Sequence, residues 1–154
     1  MRRPLEECIK NNNTKIKPIW LMRQAGRYLP EFRNIRLKNP DFIKLCLNTK
    51  LTPEITLQPI KRFNFDAAII FSDILMLPYG LGQEVEFKKN FGPILGNADI
   101  ESFNNVSEDQ FINRLKPVYN SLNITSQNKI MNGKDLIGFV GAPWTILVYI
   151  LNKQ

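Results

Sequence analysis

The chain has 154 residues, 44% hydrophobic and 23% charged, with no histidine and a formal net charge of +7. That is the composition of one globular unit built on a single core, and no apolar run approaches the ~18–20 residues of a membrane span. The opening "MRRPLEECIK" is basic but lacks the apolar stretch of ~7–15 residues of a signal peptide.

Cys8 and Cys46 lack metal-ligand spacing and are weak grounds for a disulfide, so the expectation is a cytoplasmic protein with reduced thiols. Charge is unevenly placed. Residues 1–50 hold 12 Lys/Arg against 4 Asp/Glu, and the remainder holds 9 against 10, so the excess lies entirely in the first third. Such a segment suits nucleic acid, an anionic surface or an acidic small molecule. Scattered lysines read as solvated surface. Arginines set in apolar context carry more information, and "PIWLMRQAGRYLPEFRNIR" holds four of them with one acid.

In chain order, residues 4–12 read as a short helix and "KIKPIWLM" as a strand. "LPEFRNIRLK" and "PDFIKLCLN" are short helices or turns punctuated by Pro30 and Pro40. "LTPEITLQPIKRF" is a helix with Thr52 as N-cap, Pro53 at its first position and Glu54 complementing the dipole; Pro59 is expected to kink or shorten it. The apolar run Ala67 to Phe71 is a strand buried on both faces. "PYGLGQEVEFKKNFGP" is a loop with a short strand at "QEVEF". A long helix begins after Ser107, carrying Phe111, Leu115 and Val118. "DLIGFVGAP" is a third strand ending near Val140, and "WTILVYIL" starts a helix that runs into the closing "LNKQ". Alternating strands and helices of this kind form parallel βα units.

Each strand gives way to a polar or turn-forming segment. The first runs into "RQAGR", the second into "SD", the third into "GAPWT". Ligand sites in parallel α/β folds lie at the carboxyl ends of strands, where the loops converge, so three such ends suggest one mouth. Blander readings stand beside this one. Asp73 also fits a cap of the next turn, and Arg23 and Arg27 also fit surface pairs with Glu31. Gly26 suits an ordinary turn, Tyr149 suits core at helical spacing from Thr145, and Trp20 and Trp144 suit packing. From residues alone, the conclusion is an α/β barrel or sheet whose active face offers several arginines and one aspartate to a polyanion.

At these segments the chain resembles the uroporphyrinogen decarboxylase family. "PIWLMRQAGRYLPEFR" is similar to the family's N-terminal signature, "GFVGAPWTILVYIL" to its second, and "DAAIIFSDIL" and "EITLQP" fall between them in order and spacing. The resemblance covers essentially the whole chain. It implies a distorted (β/α)8 barrel of the TIM type, usually a homodimer, that decarboxylates the four acetates of uroporphyrinogen III to give coproporphyrinogen III in haem biosynthesis. It implies no metal or organic cofactor, no nucleic acid and no membrane. It matches Asp73 to the catalytic carboxylate that accepts hydrogen bonds from the substrate's pyrrole N–H groups. Arg23 and Arg27 match arginines contacting substrate carboxylates, and Gln24, Ala25 and Gly26 complete the cleft loop. Arg36 matches a further pocket arginine and Tyr149 a substrate-contacting tyrosine, with Met22 and Phe42 as apolar lining.

A complete barrel of this type needs about 250 residues. About three βα units are expected here, and the family's C-terminal Ser/Thr and His have no counterpart. The resemblance therefore implies a single incomplete barrel domain over residues 1–154, the C-terminal half absent, inactive by itself. Two other classes compete. A corrinoid-linked methyltransferase of the same superfamily would carry a His/Cys zinc site in its C-terminal half, and the near-intact "RQAGRYLPEF" speaks against it. A non-enzymatic basic module for nucleic acid would show aromatic and basic residues interleaved, and none are.

Overall fold

The computed structural model describes residues 3–12, 15–88 and 91–152. Lys89 and Asn90 of the expected loop, and Lys153 and Gln154 at the end of the last expected helix, lie outside them. The elements run α1 (Pro4–Lys10), α2 (Pro30–Lys38), α3 (Phe42–Cys46), α4 (Leu51–Phe63), β1 (Ala67–Ile69) and α5 (Met76–Gly80). Then come β2 (Val85–Lys88), β3 (Gly92–Leu95), α6 (Ile100–Asn104), α7 (Glu108–Ser126), a 3₁₀ turn (Lys129–Met131), β4 (Asp135–Ile137) and α8 (Pro143–Asn152).

The architecture is mixed α/β. β1 and β4 pair in parallel, with Ala67 opposite Asp135, Ala68 opposite Leu136 and Ile69 opposite Ile137. Parallel neighbours need a long crossover, and α5 through α7 supply it. β2 and β3 form an antiparallel hairpin outside that sheet. The apolar run is buried at Ala67, Ala68 and Ile70, while Ile69 and Phe71, on the same face as Ala67, are half-buried. α4 covers it with Leu57 and Ile60, and Met131 joins the same cluster. A second cluster joins Leu29 and Phe32 to Leu45 and Ile55. A third gathers Leu75, Met76, Val85, Leu95, Leu115 and Ile146. Each fully buried Leu, Ile or Met contributes about 1.5–3 kcal/mol relative to exposure.

Several expectations need correction. "KIKPIWLM" is not a strand and forms no ladder among the described residues. Pro18 has no N–H to donate, and side chains of Asp66 and Gln24 take the bonds a neighbouring strand would make. Thr52 does not cap α4. Its hydroxyl donates to the Leu45 and Cys46 carbonyls, while Asn48 Oδ1 accepts the Lys50 and Leu51 N–H groups. The helix starts two residues early, at Leu51, and runs through the buried Pro59 to Phe63. It stops at Asn64, in the left-handed region at φ 53°, a conformation Asn tolerates. The short strand expected at "QEVEF" is β2, but the loop expected around it also holds the end of α5 and the start of β3. The third strand ends at Ile137 rather than near Val140, because Gly138 to Val140 are exposed with no second neighbour among the described residues. Trp144 is not packed: it is 75% exposed. The long helix keeps its expected start, with Ser107 and Gln110 closing a reciprocal capping box.

Candidate active site

The segment carrying the arginines lies against β1, on the side away from β4. Asp66 Oδ2 accepts the Ile19 N–H at 2.7 Å, and the Asp66 N–H donates to the Ile19 carbonyl at 2.9 Å. One turn further on, Gln24 Nε2 donates to the Ala67 carbonyl at 2.9 Å and Gln24 Oε1 accepts the Ile69 N–H at 3.3 Å. Gln24 is only 3% exposed. Its own carbonyl accepts the Tyr28 hydroxyl, and Tyr28 stacks on Phe63 of α4. Ala25 packs on the cluster of Leu29, Phe32, Leu45 and Ile55. Gly26 O accepts the Leu29 N–H at 3.0 Å, closing the turn into α2. A Cβ at Gly26 would meet nothing nearer than Tyr28 Cδ1 at 3.9 Å, so internal packing does not require glycine there.

This rigid backbone carries two exposed guanidiniums. No hydrogen bond or ion pair engages the side chain of Arg23 or of Arg27 among the described residues. Glu31, the acid expected beside them, is taken by Arg62 of α4 in a two-point contact at 3.1 and 2.8 Å, which holds its carboxyl below the usual range. Arg33 Nη1 braces the loop by donating to the Arg27 carbonyl at 2.8 Å.

β1 leads directly to Asp73. Thr56 of α4 donates to the Thr52 carbonyl and accepts the Phe71 N–H at 2.9 Å, fixing the strand's exit. Asp73 then turns the chain, its Oδ1 accepting the Leu75 N–H at 2.9 Å. Burial pushes the Asp73 carboxyl above the usual aspartate range, and the Leu75 N–H offsets only part of that. The Cys46 thiol, fully buried beneath, is pushed up by burial, with Asp73 adding to the shift and Arg36 opposing it. Asp73 and Arg36 therefore act on the same buried volume. Arg36 donates to the Asn39 carbonyl at 2.5 Å and lies over the Phe42 ring, 5.5 Å from its centre. Phe42 in turn packs edge-on to Phe71.

The third strand end meets the second. A Cβ at Gly141 would stand 3.1 Å from Ile74 Cβ and closer still to the Ile146 side chain, so the turn after β4 presses on the residue after Asp73. Tyr149 of α8 is half-buried against the cluster containing Leu75. Met22, expected as lining, is 78% exposed. Asp66, Thr56 and Cys46 escape the sequence reading. An acid directly ahead of an apolar strand is the one visible hint for Asp66.

The fold and site thus define a class: mixed α/β chains in which a half-buried carboxyl follows a strand of a parallel pair, beside a loop of exposed arginines whose side chains are not engaged among the described residues. The sequence profile of the uroporphyrinogen decarboxylase (URO-D) family matches residues 2–154, and the chain belongs to that family. The uroporphyrinogen decarboxylase of Chelativorans sp. (strain BNC1) is 44% identical over 149 residues, covering 97% of this chain and 43% of that protein. That of Rickettsia felis is 47% identical over 146 residues, covering 95% and 42%. That of Brucella anthropi is 41% identical over 151 residues, covering 98% and 44%. The chain spans less than half the length of these relatives.

Proposed function

We propose that this chain supplies the N-terminal part of a (β/α)8 barrel that decarboxylates uroporphyrinogen III to coproporphyrinogen III, acting as a homodimer. The observation that carries the reading is the placement of two guanidiniums without partners among the described residues, Arg23 and Arg27, in a loop clamped to the strand that leads to half-buried Asp73. A ligand bearing several carboxylates around a core of N–H groups suits that set. Arginine forks pair bidentately with carboxylates and stay charged. The room above Gly26 lets such a carboxylate approach the backbone.

Loss of CO2 breaks the bond between an acetate methylene and its carboxyl carbon, and the electron pair needs a sink. Protonating the pyrrole carbon turns the ring into a cationic sink. The pair then passes into the ring, leaving a neutral exocyclic methylene. A proton added there completes the methyl group, and release of the first proton from the ring carbon restores the pyrrole. Asp73 favours the cation: burial disfavours its carboxylate when alone, a positive ring beside it restores the charge, and in a water-poor cleft the attraction is strong. Arg36 is assigned to a further substrate carboxylate and Tyr149 to substrate contact. The test joins residues 1–154 to the C-terminal portion of the Rickettsia felis relative and incubates the product anaerobically with uroporphyrinogen. Stepwise appearance of products with fewer carboxylates supports the reading, and their absence from a folded chimera refutes it.

A further inference from the structure

Gln24 sits between the two free arginines' anchor and the strand that leads to Asp73, yet its amide points inward. Its two side-chain bonds reach the Ala67 carbonyl and the Ile69 N–H, the groups on the edge of β1 opposite β4. A planar amide with one donor and one acceptor reproduces what a peptide unit of a neighbouring strand would offer there. The side chain is buried, so losing it leaves both β1 groups without water or protein partners. The same residue's carbonyl holds the Tyr28 hydroxyl, tying the loop to Phe63 of α4 as well. Asp66 fixes the other end of the segment at Ile19. Between these two points the backbone bearing Arg23 has no freedom to slide along β1.

We propose that Gln24 is a positioning residue, a side-chain surrogate for a strand that locks the Arg23–Arg27 loop in register with the strand leading to Asp73. It touches no ligand. This rests on the reading that the loop takes carboxylates, and it replaces the family-based expectation that Gln24 lines the cleft. Specificity for a ligand of fixed carboxylate spacing then depends on an amide that faces away from it.

The experiment measures binding of uroporphyrin, the fluorescent oxidised octacarboxylate, by the chain and its variants, with far-UV circular dichroism as the check on folding. Gln24→Leu removes both bonds at similar volume and is expected to weaken binding by about tenfold or more. Gln24→Glu separates positioning from bulk structure. When protonated, the introduced carboxyl donates to the Ala67 carbonyl and accepts from the Ile69 N–H; when ionised, it sets a negative oxygen against that carbonyl. Burial raises such a carboxyl, so binding relative to the unsubstituted chain should recover as pH falls from about 8 to about 6. Arg23, Arg27, Asp66 and the Tyr28 hydroxyl surround the position in both chains, so the ratio removes their titration.

A folded Gln24→Leu chain that binds like the unsubstituted one, or a Gln24→Glu ratio flat with pH, overturns the inference alone. Loss of the dichroism signal in both variants also overturns it, because Gln24 would then act on the whole fold. Unchanged binding in an Arg23→Ala, Arg27→Ala double variant, or no binding by the unsubstituted chain, overturns the carboxylate-loop reading and this inference with it.

Discussion

Arg62 grips Glu31 with two hydrogen bonds, 3.1 Å from Nε and 2.8 Å from Nη2, and so takes away the acid that Arg23 and Arg27 would otherwise pair with. The pair is partly exposed on both sides, and solvent screening leaves such a bridge little weight in stability. Its consequence is therefore positional. Two cations that no acid neutralises among the described residues sit exposed on a braced loop.

Replacing either cation by lysine keeps the charge and loses the fork. Arg23→Lys and Arg27→Lys should each weaken uroporphyrin binding, by about 1.5–3 kcal/mol if the charged hydrogen bonds are lost outright. Isothermal titration at two ionic strengths checks this. Equal affinity in both lysine variants would mean that positive charge alone suffices.

Asp73→Asn should separate stability from function. Burial raises the folded-state pKa of this carboxyl above its unfolded value, so the folded state holds more protons in the interval between them. Stability therefore falls as pH rises through that interval, and at neutral pH the carboxylate destabilises the fold. Asparagine keeps an oxygen for the Leu75 N–H without the charge. The variant should melt at a higher temperature than the parent at neutral pH, with the gap closing near pH ~3.5, below the unfolded value. In the chimeric enzyme the same change should lower turnover by roughly 10²–10³, the usual loss for one preorganised electrostatic partner.

Gly141→Ala tests how tightly the turn after β4 is pressed on the Asp73 turn. The added methyl would overlap the Ile146 side chain and approach Ile74 Cβ at 3.1 Å. Ile146 is buried and its room to yield is small, so overpacking should cost about 1–3 kcal/mol in a denaturant melt. A neutral result would show that α8 is free to shift.

Much of this fold is legible in the residues, and the parts that are not share a common cause. The Ser107 cap, the buried run at Ala67 and the polar strand ends depend on neighbours in the chain, and local pattern reveals them. The first strand is different. Whether residues 18–24 join a ladder depends on Asp66 and Gln24, whose partners lie 47 and 43–45 positions away, and no periodicity encodes that. Thr52 looks like a cap because Asn48 is invisible as the better-placed one. Gly92 and Pro93 look like loop because their strand exists only by pairing with Phe87 and Lys88. Resemblance places Gln24 in the cleft loop, and its side-chain contacts run inward, to β1.

Residues 1–154 by themselves should not decarboxylate uroporphyrinogen. The role proposed for Asp73 requires a low dielectric, and apolar residues at and after the end of β4 stand open: Val140 is 71% exposed, Trp144 75% and Leu151 60%. β4 has β1 on one edge and no strand on the other among the described residues, which leaves a template for adventitious pairing. Water reaching the site weakens the attraction between the carboxylate and a cationic ring by the ratio of dielectrics, and the barrier rises accordingly. The arginine loop, by contrast, is braced wholly from within the described residues by Asp66, Gln24, Tyr28 and Arg33. Binding of a polycarboxylate should therefore outlast catalysis. Anaerobic incubation of the isolated chain with uroporphyrinogen should leave the substrate unchanged while uroporphyrin still quenches on addition of protein. Sustained formation of coproporphyrinogen by this chain would show that Asp73 does not need the enclosure, and the electrostatic account of its role would fall.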